Sequence, residues 1–105
     1  MTTKRAKEGE LIVITDFPET SNWIEGKVGQ YEFCAKVYDN GSNFGIDEGR
    51  VSKLQIYAKA GEFPNQVGKT IVNYDRGWDV RPKKEHKELF KALMKTLEAT
   101  PKRFS

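Results

Sequence analysis

Between Trp23 and Tyr38 apolar and polar residues alternate on either side of Gly29-Gln30, and no other feature of the chain constrains its fold as much. Two strands joined by a two-residue loop must pair antiparallel. Glycine at the first loop position supplies the positive φ that a type II′ turn requires. In the second strand Tyr31, Phe33, Ala35 and Val37 share one face, while Glu32, Cys34, Lys36 and Tyr38 share the other. The pattern predicts a sheet with one buried and one solvated side. Leu11–Thr15, Val51–Ala58 and Thr70–Tyr74 read as further strands, and Trp78–Val80 as a short last one. In Val51–Ala58 the residues Ser52, Leu54, Ile56 and Ala58 oppose Val51, Lys53, Gln55 and Tyr57.

Pro82 opens a helix expected over about residues 82–99, since proline is well tolerated in a first turn. Leu89, Phe90, Leu93, Met94 and Leu97 fall within one arc of roughly 140°, and His86 lies at the centre of that arc. Thr100-Pro101 ends the helix, because a residue before proline avoids the α region. The apolar stripe needs a cover, and a sheet face is the large apolar surface on offer. The expected architecture is α+β: a four- to five-stranded, largely antiparallel sheet with one C-terminal helix packed on one face. At 105 residues the chain has room for one modest core, so residues 10–105 are expected to form a single domain. Residues 1–9, without apolar periodicity, are expected to be a flexible basic arm.

The apolar run Leu11-Ile12-Val13-Ile14 is far too short for a membrane span or for the apolar core of a secretory signal. A lone Cys34 excludes an intramolecular disulfide and a four-thiolate zinc site, and a lone His86 excludes paired imidazole ligands. A cytoplasmic protein with a reduced thiol is expected. Charge is split: residues 81–105 carry eight basic and three acidic groups, whereas 10–80 carry seven against eleven, a net of −4. The basic pI of about 9.0 therefore belongs to the two ends and not to the body.

Catalytic and cofactor motifs fail one by one. The stretch 39–48 has oxygen donors, but Phe44 stands where a calcium loop needs glycine and Arg50 where it needs glutamate. Gly41–Gly45 lacks the Gly-Lys-Ser/Thr ending of a phosphate loop. Cys34 falls mid-strand, away from the helix N-termini and cationic pockets that activate thiols, so a Cys34–His86 dyad is disfavoured. Asp47/Glu48 and Asp75/Asp79 read as solvated acids. No enzyme activity, cofactor or metal is expected.

Two surfaces read as binding candidates. Asn73–Asp79 joins Tyr74, Arg76 and Trp78 around Gly77, residue types that dominate interface hot spots. Two readings stay open there, an exposed Arg-Trp turn or a buried aromatic strand end. Arg50, Lys53, Asp75, Arg76, Trp78 and Asp79 are the candidate protein-binding residues. The alternative is nucleic-acid contact through Lys84, Lys87, Lys91 and Lys95, which line the polar side of the helix and have no aromatic among them.

Several segments resemble an uncharacterised family of short proteins from Gram-positive bacteria, their phages and mobile elements. The resemblance lies in Trp23 to Gly26, Phe33, Ala35–Tyr38, Ser42, Gly45-Ile46, Gly49–Leu54 and Asn73–Asp79. It spans roughly residues 23–80 and leaves out the arm and the helix. What it implies is a viral or mobile-element setting, with no mechanism attached. In that setting the expected function is non-enzymatic: binding a host protein, for instance as an anti-defence inhibitor of a nucleic-acid-processing nuclease. No membrane partner is expected.

Overall fold

A computed structural model describes residues 3–5, 11–18, 21–58 and 69–102. Seven strands form one sheet in strict chain order: β1 (Thr3–Arg5), β2 (Leu11–Asp16), β3 (Trp23–Val28), β4 (Tyr31–Val37), β5 (Val51–Ala58), β6 (Thr70–Asp75) and β7 (Trp78–Val80). Every neighbouring pair is antiparallel. The sheet is wider than the four to five strands expected. β2 to β7 account for six, and Thr3–Arg5 adds a three-residue edge along Leu11–Val13. That edge falls in the stretch read as a flexible arm. Backbone pairing at a sheet edge needs no apolar pattern, so no periodicity announces it. The rest of the arm and the connector around Pro64-Asn65 lie outside the described residues.

The central hairpin forms as its alternation demands. Gly29 has φ 59°, and β3 pairs with β4 from Trp23↔Lys36 to Val28↔Tyr31. Opposite Phe33 stands Gly26, where any side chain would collide with the ring and with the Val13 carbonyl oxygen. The Trp-x-x-Gly spacing thus seats an aromatic over bare backbone.

A 12-residue helix, α1 (Lys87–Glu98), covers one face. It begins later than Pro82, because Lys83 is extended (ψ 164°) and a 3-10 turn at Lys84–His86 intervenes. Leu89, Leu93 and Leu97 bury against Ile24, Phe33, Ala35, Leu54, Ile56 and Val72. Covering a pleated apolar face with an amphipathic stripe is the driving term, at roughly 25 cal/mol per Å² of apolar surface removed from water. No helix among the described residues is long and apolar enough to cross a membrane.

The end of α1 is tied to the start of β5 by a reciprocal pair. The Glu98 carboxylate accepts the backbone N–H of Arg50 (2.8 and 3.1 Å) and of Val51 (3.3 Å). In return the Arg50 guanidinium donates to the carbonyls of Glu98 (2.8 Å), Thr100 (2.6 Å) and Tyr38 (2.7 Å). Carbonyls at a helix C-terminus lack intrahelical partners and carry the negative end of the dipole, so a guanidinium suits them.

Candidate functional site

Among the described residues α1 packs on one face of the sheet, and no other helix covers the opposite face. Its residues follow from the register. One row runs Trp23–Lys36–Lys53–Asp75 across β3 to β6, and the next runs Glu25–Cys34–Gln55–Asn73. Lys36 and Lys53 stand directly opposite each other, a like-charge pairing that weakens a sheet unless an anion offsets it. Asp75 approaches Lys53 at 3.5 Å, but both are substantially exposed, so their ion pair is weak.

At this end of the sheet two connections rise from the strands. The 39–49 loop is held compact by Ser42 N–H to Gly49 O (3.2 Å), by Phe44 N–H to the Ser42 hydroxyl (3.2 Å) and by the buried Ile46. The sequence suggests that its glycines take left-handed conformations. Instead Asp47 (φ 51°) and Glu48 (φ 60°) do so, while Gly41 and Gly45 allow backbone to approach backbone. The second connection is the Asp75–Trp78 turn. Arg76 has φ 59° there, its N–H bonded to Ser52 O (3.0 Å). A non-glycine residue at positive φ is uncommon and costs conformational energy.

The strained turn brings the Arg76 guanidinium over the Phe44 ring at 4.2 Å, while the Lys36 ammonium lies 5.4 Å from the Tyr38 ring centre. Between loop and turn opens a cleft of about 390 Å³, lined by Lys36, Tyr38, Ser42, Phe44, Ser52, Lys53 and Arg76. Beside it is a shallower hollow of about 190 Å³ bordered by Trp23, Cys34, Asn73 and Asp75. Phe44 is 51% exposed, Trp23 38% and Tyr38 37%, large values for aromatics.

Of the residues singled out from sequence, Lys53, Asp75 and Arg76 meet here. Asp79 is close by, accepting from the Asn73 amide (3.0 Å). Trp78 faces the helix side instead, edge-on to Tyr74 (5.1 Å) and tilted against Phe90 (5.6 Å), with Arg81 over its ring. Tyr74 is buried, and its hydroxyl donates to the Phe44 carbonyl (2.8 Å). Both aromatics turn towards the helix side, Tyr74 buried and Trp78 half-buried, while Asp75, Arg76 and Asp79 are exposed. Arg50 is taken up by the pairing with Glu98. Lys84, Lys87, Lys91 and Lys95 are exposed, in the turn before α1 and along it. The residues that sequence reasoning missed are Trp23, Lys36, Tyr38, Ser42, Phe44 and Ser52. Lys36 and Tyr38 carried one signal, their place on the solvated side of β4.

The Cys34–His86 dyad is not assembled. Cys34 is on the uncovered face, whereas the His86 ring meets Tyr31 on the helix side, with Nε2 3.3 Å from the hydroxyl. Strand alternation therefore separates the two. Among the described residues no group of three or more His, Cys, Asp or Glu could hold a metal ion. Burial pushes the Cys34 thiol up from its ordinary value, and the Glu25 carboxylate adds to this. A raised thiol pKa leaves less thiolate. Native protein at pH 8 should accordingly react with iodoacetamide several-fold more slowly than protein unfolded in urea. Equal rates would mean an open, ordinary thiol.

A family model for a domain of unknown function (DUF7678) matches residues 22–98. The match takes in α1, which the sequence resemblance leaves out. No curated protein and no solved structure matches the chain.

Proposed function

The chain belongs to the DUF7678 family, a domain of unknown function, and on that premise we propose that it is a non-enzymatic module that docks a host protein on the uncovered face of its sheet. In the phage or mobile-element setting that the resemblance implies, the partner is a nucleic-acid-processing nuclease of host defence, and docking inhibits it. One observation carries the reading: Arg76, at positive φ, stands at the rim of a face that also exposes Trp23, Lys53 and Asp75. Trp and Arg are enriched among residues that dominate interface energies, and backbone strain held by surrounding structure gathers at functional sites.

Tagged protein used to capture partners from host lysate tests this. One protein should be retained by the parent and by a variant with the four helix lysines neutralised. It should be lost when Lys53→Glu and Arg76→Glu are combined. The opposite pattern would sink the docking face. A second reading, nucleic-acid contact along the helix, rests on the exposure of Lys84, Lys87, Lys91 and Lys95. A DNA gel shift that fades steeply as salt is raised and is lost when those four lysines are neutralised would favour it, since phosphate contact through lysines is strongly salt-dependent.

A further inference from the structure

The body of the chain is acidic, with a net charge of −4 over residues 10–80, yet the residues lining the 390 Å³ cleft include three cations and no acid. Among the described residues Asp75 pairs with one of them, reaching Lys53 from the neighbouring hollow. Lys36 and Lys53 face each other across paired strands, and Arg76 is brought in by a turn whose backbone is strained. Three like charges held together at some conformational cost make a site for an anion, whose binding relieves their mutual repulsion. The rest of the lining narrows its class. Tyr38 and Phe44 present rings, and Ser42 and Ser52 bring hydroxyl groups to the same walls. Rings beside cations are the combination that holds a base and its phosphate, the base by stacking and the phosphate by charge. The volume lies in the range of small-ligand sites, roughly 300–1,000 Å³.

We infer that this cleft binds a nucleotide unit, its phosphate among Lys36, Lys53 and Arg76 and its base against the Tyr38–Phe44 side. The unit is either a free mononucleotide or one residue of a single strand. The inference does not rest on the docking reading, although the two share Lys53 and Arg76.

The experiment is a fluorescence titration of the full chain, without any partner, using a fluorescent N-methylanthraniloyl derivative of AMP. Saturable binding is expected. Arg76→Gln and Lys36→Gln should each weaken it by about tenfold or more, and Lys27→Gln, on the same face but away from the cleft, should leave it unchanged. Variants are compared only after their circular dichroism matches the parent, and Lys36→Gln keeps the test alive if the strained turn tolerates no change. Unlabelled AMP should displace the probe at concentrations at least about tenfold below those needed with inorganic phosphate or adenosine. No saturable binding, indifference to both substitutions, or equal displacement by phosphate and AMP would each overturn the inference. A ten-residue oligothymidylate displacing the probe better, per nucleotide, than thymidine monophosphate assigns the unit to a strand, and the reverse assigns it to a free nucleotide. If titration fails while Lys53→Glu with Arg76→Glu still abolishes protein capture, the nucleotide site is lost and the docking reading stands.

Discussion

Glu98→Ala should lower the melting temperature by roughly 10–20 °C, one of two large expected stability effects. A glutamate in the last turn of a helix opposes the helix dipole, so local electrostatics does not explain it. Its explanation is tertiary: the carboxylate accepts the N–H groups of Arg50 and Val51 where β5 begins. Hydrogen bonds to charged groups contribute about 1.5–3 kcal/mol, and donors left unpaired in a part-buried place add a penalty of similar size. Removing the carboxylate also frees the Arg50 backbone, and with it the guanidinium that caps Glu98 O and Thr100 O. A total of about 2–4 kcal/mol is a large share of the 5–15 kcal/mol typical of a small domain. Glu98→Gln keeps one neutral acceptor and should recover part of the loss. Thermal unfolding followed by circular dichroism decides the matter. A Glu98→Ala midpoint within 2 °C or so of the parent would show that the pairing contributes nothing to stability. Gly49 belongs to the same device, since a side chain there would strike the Glu98 carboxylate.

Leu93→Ala should cost about 2–5 kcal/mol, the range for a fully buried leucine whose site cannot collapse. Leu93 is 0% exposed, midway along the stripe that seals α1 onto the sheet. A rigid sheet below and a helix pinned at its far end by Arg50 leave little room to relax, which places the expected cost in the upper half. Lys95→Ala, two residues on but exposed, should change stability by no more than about 0.5 kcal/mol. Chemical denaturation reads both. Similar midpoints for the two variants would mean that the helix does not close the core.

Much of the scaffold was legible because it depends on short-range pattern. Alternation around Gly29-Gln30 announced the hairpin, and the spacing of Leu89, Leu93 and Leu97 announced the helix and the face it buries. Trp78 and Tyr74 were ambiguous because an aromatic next to an arginine turn reads alike whether it faces in or out. Their pairing on the helix side of β6 and β7 turns both towards the core, Tyr74 buried and Trp78 half-buried. Arg50 misled for a different reason. Its partners lie at Tyr38, Glu98 and Thr100, and no local pattern marks a guanidinium that reaches across some 50 residues. The cleft was half visible. Lys53 and Arg76 stood out, but Lys36, Tyr38 and Phe44 join them only through the β4–β5 register and the path of the 39–49 loop.

A sheet whose strands lie side by side in chain order needs only consecutive segments to meet at each pairing, so little loop entropy is spent on any one step. Its helix comes after all seven. During vectorial synthesis Ile24, Phe33 and Leu54 therefore wait as an oily plane, and α1 brings their cover and the acid that clips it at Arg50 on the same stretch of chain. Burial and fastening thus fall to one segment of the chain.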